Sequence, residues 1–230
     1  MAKFYYFFFL CLVGALFSYS ASYITSSAEL GGGFARHVYD SQWSVAGGGA
    51  SHYALSGQEV GVGIRLNAIK PLTPAWSMGG SAAIRYYFGR INSRHSSVPA
   101  HTFFYEANQD FRYELSALVS HQLNSTTSFY LKGGALIGRY HVKASDYTFQ
   151  SNKMKNTWGF TVGAGVEVPI TSDVTLGALI EYDRYQTLKN PLTNINGTVG
   201  RYTMTPSMVN VMLTFSCKLN YLIQTLRELN

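Results

Sequence analysis

The feature that most constrains this chain is an alternation of apolar and polar residues with a period of two, repeated along most of its length. Val60, Val62, Ile64 and Leu66 alternate with Gly61, Gly63, Arg65 and Asn67. Trp76, Met78, Ala82, Ile84, Tyr86 and Phe88 alternate with Ser77, Gly79, Ser81, Ala83, Arg85 and Tyr87. Phe111, Tyr113, Leu115, Ala117 and Val119 alternate with Arg112, Glu114, Ser116, Leu118 and Ser120, and Phe129, Leu131, Ala135 and Ile137 with Tyr130, Lys132, Gly134 and Leu136. Three more runs follow, built on Trp158 to Val168, Val174 to Tyr182 and Val209 to Phe215, and a weaker one covers residues 29–37. Successive side chains of a strand point to opposite faces, so each run predicts a strand with one apolar face. The total is eight.

The connections alternate as regularly as the residues do. Short links containing Pro71 and Pro74, residues 124–127 and Thr171-Ser172-Asp173 take turns with long ones over residues 38–57, 89–110, 142–157 and 186–205, which are rich in Ser, Asn, His and Gly. An even strand number, short turns at one end, long loops at the other and an outward apolar face predict a transmembrane barrel. A closed barrel leaves no backbone edge unpaired in lipid, which an open sheet would. The fold class expected is therefore all-β: an eight-stranded antiparallel up-and-down transmembrane β-barrel over residues 23–218. A tail over residues 219–230 carries Leu219, Leu222, Ile223, Leu226 and Leu229 at helical spacing and predicts a short amphipathic helix.

Composition agrees. Charged residues make up 13% of the chain, about half the usual share of roughly 25%, while 15% are aromatic. The +6 net charge comes from Lys and Arg spread singly, with no basic run or nucleic-acid motif, so a nucleic-acid partner is not expected. At the amino terminus, Met1-Ala2-Lys3, the apolar run from Phe4 to Phe17 and the small residues Ser18 to Ser22 read as a secretory signal over residues 1–22, cleaved after Ser20 or Ser22. Removing it leaves Cys217 as the one thiol, so no disulfide framework is expected.

The pattern in Gly163-Ala164-Gly165-Val166-Glu167 and Ile180-Glu181-Tyr182-Asp183-Arg184-Tyr185 resembles the small eight-stranded outer-membrane barrels of the OmpA transmembrane-domain, OmpX and opacity-protein kind. The resemblance covers nearly all of the chain past the signal. It implies a place in the outer membrane of a Gram-negative bacterium, contact with outer-membrane lipid and lipopolysaccharide, and delivery by the barrel assembly machinery. That machinery reads a last strand ending in an aromatic residue in these families; here the nearest match, Val211 to Phe215, is followed by about fifteen more residues.

Three groups of candidate functional residues follow from the alternation. Glu29, Arg65, Arg85, Arg112, Glu114, Lys132, Glu167, Glu181 and Asp183 fall on the inward face, four basic and five acidic, and are expected to pair across a lumen that side chains can fill. Trp76, Phe129 and Phe215 near the short turns, and Tyr86, Phe88, Phe111, Tyr113, Trp158 and Tyr182 near the long loops, form two outward aromatic girdles. Arg36, Arg139 and Arg184 lie outward near the long-loop ends, where they could meet lipopolysaccharide phosphates.

No cofactor and no metal site are expected, because His37, His52, His95, His101, His121 and His141 have no tight ligand spacing. His95-Ser96-Ser97 with Glu106 is superficially similar to the catalytic arrangement of lipid A deacylases, but falls in a connection and not on a membrane-facing strand. The function expected is therefore non-enzymatic: structural or adhesin-like work through the four long connections, with a host or surface ligand as partner. A narrow porin-like channel gated by the lumenal ion pairs is the alternative, and a lipid A modifying enzyme a remote one.

Overall fold

A computed structural model describes residues 23–43, 50–89, 91–98, 101–145, 150–193 and 199–219. The predicted signal, and the predicted helix beyond Leu219, lie outside them. The described residues form ten strands: β1 (Tyr23–Trp43), β2 (Ala50–Pro71), β3 (Trp76–Phe88), β4 (Ile91–Val98), β5 (His101–Asn124), β6 (Thr127–Ser145), β7 (Gln150–Pro169), β8 (Val174–Tyr185), β9 (Leu188–Thr193) and β10 (Val199–Lys218). Eight of them, β1-β2-β3-β5-β6-β7-β8-β10, pair in that order, all antiparallel, and β10 pairs back to β1 to close the barrel.

The register fixes the shape. Following paired residues round the wall leads from Ser26 to Leu66, Ala82, Leu115, Ala135, Phe160, Arg184, Ser207 and back to β1 at Arg36, ten residues beyond the start. With standard strand spacing and rise, that stagger sets a tilt of about 40° and a radius of about 8 Å. Each residue then climbs about 2.5 Å along the barrel axis.

The outward face is apolar in a continuous band: Leu30, Ile64, Leu131, Val162, Ile180, Val211 and Leu213 are all exposed. Trp76, Phe129 and Phe215 sit at the short-turn side of this band, and Tyr86, Phe88, Phe111, Tyr113, Trp158 and Tyr182 at the other. Tyr86 bridges two strands, its ring 4.6 Å from Phe88 and 4.9 Å from Phe111 between centroids. The girdles bound ten or so residues per strand, a height of about 25 Å that matches the apolar belt of an outer-membrane barrel.

The short turns are held by side chains. Thr73 Oγ1 accepts from the backbone N–H groups of Ala75 and Trp76, Asn124 Oδ1 from that of Thr126 at 2.8 Å, and Thr171 Oγ1 from those of Asp173 and Val174.

Two expectations change. The first strand, weak in sequence, runs from Tyr23 to Trp43 and pairs along its length on both sides. Its pattern is faint because Gly31 and Gly33 face the lumen, where a Cβ would press into Met212 and Met208 respectively. The four long connections are also largely sheet. The β1–β2 pairing continues to Gln42–Ala50, β5–β6 to Phe104–Ser145, and β6–β7 to Ser145–Gln150. By contrast β2–β3 pairing stops at Val60–Phe88 and β7–β8 at Gly159–Tyr185. Above the band the wall therefore divides into two four-stranded sheets, β2-β1-β10-β9 and β4-β5-β6-β7, which project from the membrane.

An Arg at a lipid-facing position costs about 2–4 kcal/mol at mid-membrane and about 0–1 at the interface. Ile64→Arg should therefore lower the unfolding free energy in phospholipid vesicles by about 2–4 kcal/mol, and Gln58→Arg, on the same face at the rim, by about 0–1. Equal effects in urea titrations of the two variants would mean that this face does not meet lipid.

Candidate functional site

Eight charged side chains form one layer across the lumen. The alternation puts them inward, and closure of the barrel puts them opposite one another. Glu29 on β1 receives Arg65 Nε at 2.6 Å and Arg85 Nη2 at 2.8 Å. Glu114 on β5 is met by Arg65 Nη1 at 3.1 Å, Arg112 Nη1 at 2.5 Å and Lys132 Nζ at 2.5 Å. Glu181 on β8 touches all four cations: Arg85 Nη1 at 2.6 Å, Arg65 Nη2 at 3.2 Å, Arg112 Nη2 at 3.6 Å, and Lys132. Asp183 takes Arg112 in a two-pronged contact, with Nε at 2.7 Å and Nη2 at 2.9 Å.

Four cations face four carboxylates, so the layer is neutral. All eight residues are buried, Arg85 and Arg112 completely. Uncharged groups satisfy what remains. Ser81 accepts from Arg65, Thr161 from Arg112, and Tyr87 from Arg85; Ser116 donates to Glu114. Tyr87 then donates to Asn210, whose amide donates to Asp183 Oδ2 at 3.0 Å. These polar partners stood on the inward face in the alternation, but nothing in sequence distinguished them from spacers.

The ninth candidate is set apart. Glu167 faces inward nearer the short turns, and among the described residues no cation lies within ion-pairing distance of its carboxylate. An inward acid that the reading of the sequence passed over, Glu59, lies at the other end of the lumen, where its Oε1 accepts from Gln109 N. Above the charge layer the lumen is filled by Ala35, Tyr87 and Met208, and by Gln109, which donates to Tyr185 at 2.6 Å and accepts from Tyr140. Leu118, Leu136 and Leu179, apolar residues on the polar face, are buried lumen fillers.

The three outward arginines do not form one group. Arg36, Ser207 and Arg184 are paired neighbours on β1, β10 and β8, in one row just above the upper girdle, and Ser207 Oγ donates to the Arg36 carbonyl at 3.0 Å. Arg139 stands on the other half of the wall, on β6, between Phe111 and Asn156. All three are exposed.

The catalytic-looking residues fall in strands instead of a loop. His95, Ser96 and Ser97 belong to β4, and Glu106 on β5 pairs with Asn92, three residues from His95 and so about 10 Å along the strand. Its carboxylate accepts from Asn108 at 3.0 Å and meets Lys143 at 3.5 Å. Among the described residues no three His, Cys, Asp or Glu side chains are grouped to hold a metal ion.

Neither a protein-family model nor a curated protein matches the chain. Solved structures do. The outer membrane protein OprG from Pseudomonas aeruginosa is similar at 11% identity and a TM-score of 0.51, covering 83% of this chain and 95% of its own. Ail, the attachment invasion locus protein of Yersinia pestis, is similar at 16% identity and a TM-score of 0.37, covering 84% and 99%. The outer membrane protease OmpT from Escherichia coli is similar at 9% identity and a TM-score of 0.45, covering 87% and 98%. The likeness to OprG is one of fold, that of an outer-membrane barrel. With the lipid-facing band, it places the chain in the bacterial outer membrane.

Breaking a buried ion pair by removing one partner costs about 3–5 kcal/mol, because the other charge is left uncompensated. Glu181→Ala strands parts of four cations and should lower stability in urea by at least that much, whereas Glu167→Ala, outside the layer, should change it by less than about 1 kcal/mol. Equal losses would mean that the layer is not the structural centre of the lumen.

Proposed function

We propose that this protein is a non-enzymatic surface component of the outer membrane, a rigid barrel that carries two projecting sheets and interacts with outside partners through them. The observation that supports this most directly is the division of labour along the axis. Ion pairs and packed side chains fill the lumen at and above mid-height, while the strands continue about 15–20 Å above the lipid band as β2-β1-β10-β9 and β4-β5-β6-β7. Binding residues concentrate on surface segments held by a rigid scaffold. On the projecting part Lys153 and Lys189 are exposed and Lys155 half-exposed, which favours an acidic or glycan surface as the partner.

The rim supplies a second contact. Arg36 and Arg184, two strands apart with the Ser207 hydroxyl between, suit lipopolysaccharide phosphate, and Arg139 suits a separate molecule. Phe215, outward near the end of β10, is the residue offered to the assembly machinery.

Non-adherent cells displaying the chain should bind heparin-coated beads at low salt, and a Lys153→Ala, Lys155→Ala, Lys189→Ala variant should lose most of that binding with its surface level unchanged. Retained binding would remove the basic patch from the proposal. Lipopolysaccharide should raise the urea midpoint of the refolded protein, with Arg36→Ala plus Arg184→Ala abolishing most of the rise; an undiminished rise would remove the phosphate contact. In planar bilayers the protein should show no discrete openings at low or high salt. Openings altered by Arg85→Ala would replace this reading with that of a channel gated by the lumenal pairs.

A further inference from the structure

Below the charge layer the lumen is not filled. A cavity of about 70 Å³ lies between the layer and the short-turn end, lined by Asn67, Thr214, Tyr130 and Glu167, with Arg65 and Lys132 as its inner end. Its wall contains polar atoms with no protein partner. Asn67 Oδ1 and Thr214 Oγ1 are buried and unbonded, on residues 6% and 3% exposed. They come from β2 and β10, and Glu167 from β7, so no single side-chain contact could satisfy all three. Gly177, paired with Glu167 on one side and Thr214 on the other, lets both side chains pack close to the wall at the edge of the cavity. A Cβ there would come within 3.1 Å of Glu167 Cγ and 2.5 Å of Thr214 Oγ1.

A void of this size with polar walls holds on the order of five waters. Access is from one end. Ser120, Ser128, Tyr130 and Glu167, towards the short turns, are partly exposed, whereas Arg65, Arg85, Arg112 and Lys132 above them are buried. The charge balance gives the cavity a sign. Arg65 and Lys132 are already neutralised by Glu29, Glu114 and Glu181, so among the described residues lining the cavity the uncompensated charge is the Glu167 carboxylate.

We propose that the lumen is a one-ended aqueous chamber, open at the short-turn, periplasmic face, which admits water and small cations as far as Arg65 and Lys132 and no further. Glu167 is the residue that attracts the cation. The chamber is independent of any ligand at the projecting sheets.

The test is thiol accessibility in the full chain carrying Cys11→Ser and Cys217→Ser, refolded into vesicles in one orientation, established by protease cleavage of the projecting hairpins. Thr214→Cys and Ser128→Cys report the chamber and Met208→Cys the lumen above the layer, each checked for heat-modifiable gel mobility. The probes are the ethylammonium and sulfonatoethyl methanethiosulfonates, with rates normalised to a free thiol. Both chamber cysteines should react from the short-turn face, the cationic reagent roughly tenfold faster than the anionic one, and Met208→Cys from neither face. Glu167→Gln should bring the ratio near one while leaving access intact. Failure of both chamber cysteines to react, reaction from the long-loop face, or reaction of Met208→Cys at a similar rate would overturn the chamber. A reagent ratio unchanged by Glu167→Gln would overturn its cation preference.

Discussion

Every strand of the closed wall contributes a side chain to one neutral layer of charge, and the rest of the structure depends on that layer. Glu29 comes from β1, Arg65 from β2, Arg85 from β3, Arg112 and Glu114 from β5, Lys132 from β6, Glu181 and Asp183 from β8; β7 and β10 supply Thr161 and Asn210. In a barrel of this radius the two sides of the lumen are within reach of long side chains, so the charges can meet without backbone distortion. Burying them is tolerable only because each is paired and hydrogen-bonded. A strand that slipped by one residue would turn its contribution out into lipid and leave its partners bare. The layer thus ties register to closure: the stagger of ten residues is also the stagger that brings Arg112 to Asp183 and Arg65 to Glu29.

The parity of the sequence was enough to place Glu29, Arg65, Arg85, Arg112, Glu114, Lys132, Glu181 and Asp183 on the inner face. It could not say which of them meet, because contact across a lumen depends on the height of each residue on the axis, and height depends on the stagger. Glu167 shows the difference: it shares the parity of the others but sits below them, too low to join. Parity itself fails where the pairing shifts. Between Gln109 and Phe111 the β5–β6 register moves by one, so Arg112 and Gln109 both reach the interior although one is even and the other odd. Beyond that irregularity Glu106 and Lys143 pair directly across the sheet, a match that an unbroken alternation would not have found.

The projecting sheets were hidden for a different reason. Inside the band one face of each strand meets lipid and the other a packed lumen, and the contrast writes a sharp period of two. Above the band neither environment imposes it. Residues 50–57 and 91–98 are rich in Ser, His, Ala, Asn and Gly, which read as loop by composition yet pair as sheet because strands already aligned by the barrel below need only continue.

The two ends of the lumen differ as well. At the upper end the interior receives mostly rings and thioethers, Tyr87, Tyr140, Tyr185 and Met208, packed round the buried Glu59, whose Oε1 accepts from Gln109 N. At the lower end it receives Ser, Thr, Asn, Tyr130 and Glu167, and among the described residues Asn67 Oδ1 and Thr214 Oγ1 are left without a protein partner. The charge layer separates these two regimes. Its strength allows the lower end to remain polar: with closure secured at mid-height, the short-turn end can leave Asn67 Oδ1 and Thr214 Oγ1 without a protein partner. A barrel held only by packing would have to fill that end too.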